Sequence, residues 1–188
     1  IIQEAKIPGV HGLVAQLGKV DPAYQLALEI SAGARLGNLV VQDDGVASRA
    51  IEILKQKRGG RATFLPLNKI NAQPLRENAA LRSNQGFIDY AVNLVDFDRE
   101  YENIFNYVFG GTIVFDRLDR ARSLLGKHRI VTLDGELLEA SGAMTGGNIS
   151  NKSTLHFGTA DASESAEVRT LQQRLAQIEQ ILQVSIEV

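Results

Sequence analysis

Three histidines, His11, His128 and His156, are the only imidazoles in the chain, and none stands at a metal-ligand spacing from another. Structural zinc sites need closely spaced His and Cys ligands. The sequence has no cysteine, which also excludes disulfides and thiolate nucleophiles and fits a reducing compartment. Carboxylate pairs occur at Asp43-Asp44 and at Asp96 with Asp98. Both stand where a helix is expected to start, so capping of free amides accounts for them. No G-x-S-x-G elbow and no G-x-x-x-x-G-K-[ST] phosphate loop occurs, which removes two common routes to catalysis. Gly33-Ala34-Arg35-Leu36-Gly37 is glycine-rich but precedes an apolar run. A dinucleotide fingerprint needs strand, glycines and helix in that order, because the helix N-terminus holds the phosphates. The residues argue against an enzyme.

What remains is positive charge and glycine. Lys55, Lys57, Arg58 and Arg61 stand together with no acid among them. Arg117, Arg120, Arg122, Lys127 and Arg129 form a second group, diluted by Asp116 and Asp119. Cations at a helix end complement its dipole. If four of them touched phosphates instead, DNA affinity would fall with salt on a log–log slope of roughly −3 to −4. The run Ser141-Gly142-Ala143-Met144-Thr145-Gly146-Gly147-Asn148 carries no charge. Glycines so dense mark turns at positive φ or a place where another backbone approaches closely. A flexible linker is the alternative, although it would hold more Ser, Pro and charge.

Composition sets the frame. The 188 residues are 44% hydrophobic and 22% charged with a net charge of −2, so any contact with nucleic acid must come from a local patch. No apolar run reaches the length of a membrane span. The first residues, Ile1-Ile2-Gln3-Glu4-Ala5-Lys6, lack the basic start and apolar core of a signal peptide. The chain starts without methionine, so an excerpt of a longer protein is expected.

The elements then fall into a repeated order. His11 to Val20 reads as a strand or bent segment, and Asp21-Pro22 starts a helix with Tyr24, Ala27, Leu28 and Ser31 on one face. Gly33 ends it, and Leu39-Val40-Val41 suits a buried strand. Asp43-Asp44-Gly45 opens a second helix with an inner face of Val46, Ala47, Ala50, Ile51 and Leu54. Gly59-Gly60 stops it before a strand over residues 62–65 that ends at Pro66. Gly9, Leu17, Asp21, Tyr24 and Gly33 recur 77 positions later as Gly86, Leu94, Asp98, Tyr101 and Gly110. After a contraction of three, Gly37, Leu39, Val40 and Ala47 return as Gly111, Ile113, Val114 and Ala121. Arg61 and Thr63 are matched to Arg129 and Val131. Such ordered repetition predicts two similar α/β halves, about 9–67 and 86–135, joined by a polar connector over 68–85. A tight turn at Asp134-Gly135 follows, then Leu137-Leu138 and the glycine run, which the repeat does not require. Residues 151–162 read as a loop. Val168, Leu171, Leu175, Ile178 and Leu182 form a short heptad seam.

Several of these stretches resemble the hinge domain of SMC proteins. They are Gly-Val-His-Gly-Leu-Val at 9–14, Val20 to Tyr24, Phe64 to Lys69, Gly110 to Phe115, Arg129 to Gly135 and, most specifically, Ser141 to Gly147. The overall pattern is similar to the bacterial chromosome-partition type. The resemblance implies a mixed α/β hinge over 7–150, its second half extended to about 150. An incoming coiled-coil arm would end within 1–6, and an outgoing arm would start within 163–188. It also implies a homodimer in which Gly142, Ala143, Met144, Thr145, Gly146 and Gly147 meet a partner copy. Weak DNA contact would fall to Lys55, Lys57, Arg58, Arg61, Arg117, Arg120, Arg122, Lys127 and Arg129. No metal or cofactor is expected in the hinge. ATP, Mg and kleisin-type subunits would belong to distant heads, and the setting would be the cytoplasm and nucleoid, with no membrane. The competing expectation is a two-lobed small-molecule sensor with its ligand between the halves.

Overall fold

In the computed structural model, which describes residues 9–148, 155–158, 174, 177 and 178, each half opens at a glycine with positive φ. Gly9 has φ 101° and Gly86 has φ 93°. A Cβ at Gly9 would lie 2.7 Å from Val46 Cγ2, and one at Gly86 only 2.5 Å from Asp116 Oδ1. Both corners therefore need glycine for shape as well as for backbone freedom.

The first half runs β1 (Val10–Leu13), α1 (Val14–Leu17), β2 (Gly18–Val20), α2 (Gln25–Ala32), β3 (Leu39–Val41), α3 (Asp44–Gln56) and β4 (Phe64–Pro66). The connector carries α4 (Ala79–Arg82). The second half runs β5 (Phe87–Tyr90), β6 (Val95–Phe97), α5 (Glu102–Phe109), β7 (Ile113–Phe115), α6 (Leu118–Ala121) and β8 (Ile130–Thr132), with a 3-10 turn at Ala91–Leu94 in the place of α1. Two further strands follow, β9 (Leu137–Leu138) and β10 (Met144–Thr145). The sheets have the orders β1-β3-β4 and β10-β9-β8-β7-β5. In each, an antiparallel first pair is followed by a parallel crossover pair.

The repetition holds down to single hydrogen bonds. Gln42 N–H donates to the Gly9 carbonyl at 2.7 Å, and Asp116 N–H donates to the Gly86 carbonyl at 2.9 Å. Val14 N–H reaches the Asn38 carbonyl as Ala91 N–H reaches that of Thr112. The contraction of three falls after α2 and α5, which end at Gly33 and Gly110 with near-identical backbone angles. There the 3-10 segment Gly33–Gly37 of the first half shrinks to Gly110 and Gly111. One matched pair moves. Leu39 N–H donates to Thr63 O and Ile113 N–H donates to Arg129 O, so Thr63, not Arg61, is the counterpart of Arg129. Likewise Leu65 corresponds to Val131. Matching arginine to arginine misplaced the register, which is set by the buried Leu65 and Val131 facing inward.

β2 and β6 form their own antiparallel ladder, pairing Gly18 with Phe97, Lys19 with Asp96 and Val20 with Val95. Lys19 and Asp96 are 77 positions apart, so the pseudo-dyad relating the halves crosses this ladder. The strands Leu39-Val40-Val41 and Ile113-Val114-Phe115 are buried throughout because both faces are covered. Val40, Leu65, Val114 and Val131 face a central layer with Ala27 and Leu28 of α2 and Ile104, Phe105 and Val108 of α5. Leu39 and Val41 face outward to Val46, Ala47 and Ala50 of α3, and Ile113, Phe115 and Ile130 face outward to Ala121 of α6. The outer helices therefore lie on opposite sides of the molecule.

Three local expectations change. Ile51 is 44% exposed, because the sheet touches only the narrow face of α3 that holds Val46, Ala47 and Ala50. Asp43 does cap α3, its Oδ1 accepting from Val46 N–H at 2.8 Å. Asp96, however, lies in β6 opposite Lys19, and Asp98 precedes a 3-10 turn without a side-chain cap. The C-terminal segment returns to both halves: Gly158 N–H donates to Ala15 O and Ile178 is buried beside Leu13, Val41 and Ala50 of the first, while Phe157 stacks on Phe109 of the second at 6.3 Å. Arg174, Gln177 and Ile178 are helical; the rest of the expected arm over 163–188, and all of 1–6, lies outside the described residues.

Candidate functional site: two sheet edges and the basic clusters

Parallel register decides which backbone groups of β4 remain outward. Leu39 N–H donates to Thr63 O and Leu67 N–H to Val41 O. Leu65 therefore turns both its backbone groups toward β3, leaving Phe64 N–H, Phe64 C=O and Pro66 C=O on the outer side. Among the described residues no strand pairs with that side. In the second half β8 presents the same groups, but there Thr132 N–H donates to Glu136 O at 2.9 Å and β9 pairs antiparallel with β8. Pro66, the counterpart of Thr132, has no N–H and cannot start that hairpin.

β9 carries β10 in turn, with Leu138 opposite Met144 and Leu137 opposite Thr145. Glu139 N–H donates to Ala143 O, and Gly142 N–H closes the turn on Glu139 O. By alternation, Ala143 and Thr145 turn their backbone toward β9, so Met144 and, beyond it, Gly146 present theirs outward. Met144 is 50% exposed. The glycines divide by role. Gly142 and Gly147 have φ of 100° and 115°, and a Cβ there would meet nothing within 4 Å; at Gly146 it would lie 3.1 Å from Glu136 Cγ. The run is thus an ordered, exposed strand edge with open space beside it.

The basic residues do not form one patch. Lys55, Lys57, Arg58 and Arg61 are exposed around the end of α3, with Lys55 3.8 Å from Glu52. In the second half Arg117 forms a bidentate pair with Asp119 and Arg120 bonds Asp116 at 2.6 Å. The hydrogen bond from Arg117 holds the Asp119 carboxyl below its ordinary value. Arg129 is a strut: it donates to Ser31 Oγ, Ser31 O, Thr112 Oγ1 and Glu139 Oε2, all within 3.2 Å. It joins α2 of one half to β8 of the other. Arg122 and Lys127 stay exposed.

His11 bridges the halves, set between Tyr101 Oη at 2.8 Å and Gln42 Oε1 at 2.9 Å. With the Gln42 oxygen accepting, Nε2 donates and Nδ1 accepts from Tyr101. Burial, with Glu100 nearby, pushes the Tyr101 hydroxyl up. His156 bonds Glu29 at 2.6 Å, and among the described residues no group of His, Asp and Glu could hold a metal ion. An open groove of about 690 Å³ lies where α2 and α5 end, lined by Arg35, Tyr107, Gly110, Lys127 and Arg129 among others. Arg35 donates to the Tyr107 carbonyl and stacks on its ring at 4.5 Å. Two features escaped sequence reading. The Arg129 strut has no local signal, since Ser31 is 98 positions away; the β4 edge did have one, a proline closing a strand.

A family model described as SMC proteins Flexible Hinge Domain matches residues 7–125. The chain is 59% identical over 183 residues to a chromosome partition protein Smc of Synechococcus sp., covering 97% of this chain and 15% of that protein. It is 61% identical over 181 residues to the protein of that name from Synechocystis sp., covering 96% of this chain and 15% of the relative. It therefore spans about 15% of the length of these curated relatives. Among solved structures it is similar to an asymmetric dimer of the Geobacillus stearothermophilus SMC hinge domain, with a TM-score of 0.75 and 32% identity. That likeness covers 97% of this chain and 77% of the other.

Proposed function

This chain belongs to the SMC flexible hinge domain family, and from that premise we propose that it is the homodimerisation hinge of a chromosome-partition protein, joining two coiled-coil arms. The observation that carries the reading is that the two sheets, which start alike at β1 and β5, end at their other sides on unlike edges, β4 in the first half and β10 in the second. Laying β10 of one copy beside β4 of the other, and the reverse, repeats one contact twice and closes a two-fold ring. Backbone hydrogen bonds supply the affinity. Gly142, Ala143, Met144, Thr145, Gly146 and Gly147 then lie at the contact, and the glycines among them let the partner backbone approach. The solved relative in dimeric form supports this.

Leucines at Gly146 and Gly147 test it. Gly147 has open space beside it and the Glu136 side chain can swing from Gly146, so the cost within one chain is chiefly backbone strain at Gly147, about 1 kcal/mol. Light scattering is expected to find folded monomers, checked by circular dichroism. A double variant as dimeric as its parent removes the contact.

Weak DNA contact follows from the exposed cluster Lys55, Lys57, Arg58 and Arg61, with Arg122 and Lys127 as the free members of the second group. ATP hydrolysis with Mg and binding of kleisin-type subunits belong, in this reading, to the heads of the longer protein, in the cytoplasm at the nucleoid. The groove between the halves favours a second reading, a small-molecule sensor. A saturable thermal-shift response to a nucleotide or metabolite would support it.

A further inference from the structure

The two open edges differ in their hydrogen-bonding groups, and one residue makes the difference. Resting on the dimer reading above, we propose that Pro66 is the specificity residue of the interface: it steers β4 away from a second β4 and toward β10.

The argument is a count of backbone bonds. Two β4 edges brought together antiparallel about a two-fold axis would set Phe64 of each copy against position 66 of the other. With an ordinary residue at 66, each pair exchanges two bonds, four in all. Proline removes the N–H from both copies, leaving only the two bonds from Phe64 N–H to Pro66 C=O. Against β10, with Phe64 opposite Gly146 and Pro66 opposite Met144, only one of four bonds is missing. Phe64 N–H and Gly146 N–H exchange carbonyls, and Met144 N–H donates to Pro66 C=O. The edge of β4 is acceptor-rich and that of β10 carries both donors, so the unlike pairing satisfies more groups than like pairing. Within the chain the same proline denies β4 the bond that Thr132 makes to Glu136, so the edge stays open for a partner. Selection against a wrong partner by a missing donor is a recurrent way to set specificity.

The test uses Met144→Pro, which removes an outward N–H from β10 without touching the bonds that Ala143 and Glu139 make, and Pro66→Thr, which gives β4 the residue found at the matching place in β8. Sedimentation of Met144→Pro is expected to show a dimer constant weakened at least tenfold. Adding Pro66→Thr is expected to recover at least half of that loss through β4–β4 pairing, and the recovery is expected to survive leucines at Gly146 and Gly147, because that pairing does not use β10. A Met144→Pro protein as dimeric as its parent overturns the edge pairing itself, and the proposal with it. A weakened Met144→Pro protein whose Pro66→Thr derivative is equally weak overturns the role of Pro66 alone. Should Met144→Pro fail to fold, Pro66→Thr in the otherwise unchanged chain decides: species heavier than the dimer are expected at high concentration, and their absence overturns the proposal.

Discussion

In the first half the third strand, β4, ends its sheet; in the second half the matching strand, β8, lies two strands inside. The framework up to that strand is shared: the glycine corner, the antiparallel first pair, the glycine-ended central helix and the parallel crossover. The comparison teaches that the repeated unit builds a core but leaves one edge unfinished. The second half finishes its edge with a hairpin that begins at Thr132, and the first half cannot, because Pro66 stands there. The halves thus share how they are packed and differ in what they offer outward.

The largest expected effect comes from forcing the halves to be more alike at the pseudo-dyad. Gly18 corresponds to Val95, and a Cβ at Gly18 would lie 2.8 Å from Val95 Cγ1 and 2.9 Å from Phe105 Cζ. Gly18→Val should cost about 3 kcal/mol through overpacking, read as a lower urea midpoint. A loss below about 1 kcal/mol would mean the two halves can repack symmetrically. Next comes the strut that only the second half owns. Arg129→Met should cost about 2 kcal/mol by removing charged hydrogen bonds, whereas Thr63→Ala at the matching site should change stability by less than about 0.5 kcal/mol. Similar losses at both sites would erase that asymmetry. The smallest effect concerns the outer helices. Asp43 and Arg117 have matching extended backbone angles before α3 and α6, but only Asp43 caps. Asp43→Ala should cost about 1 kcal/mol, and Arg117→Ala should leave the urea midpoint unchanged, since its pair with Asp119 is exposed. Equal losses would show that α6 gains as much from its surface pair as α3 from its cap.

Much of this construction was legible in sequence, and the failures have physical causes. The offset of 77 holds because corner glycines, a helix-ending glycine and apolar strands are dictated locally. Matching Arg61 to Arg129 failed because residue type misleads where register is decided by the alternation of Leu65 and Val131 toward the core. The position of Asp98 before a helix suggests a cap, yet its side chain makes no such bond. The glycine run reads in sequence as a place of close approach or a linker, and its strand β10 has only two residues, too few to show a period. The Arg129 strut depends on Ser31, 98 positions away, and no local pattern announces it; the β4 edge has only the proline that closes its strand as a sign.

Ile178 lies in the outer layer of the first half, against the strand that follows residue 9. Mechanically, that layer is the anchor point of both flanks of the domain. A pull on the chain at residue 9 and at residue 178 is met first by the contact of Ile178 with β1, β3 and α3. The second half, with its hairpin and glycine edge, lies off this load path, so tension can be carried without first distorting that open strand edge.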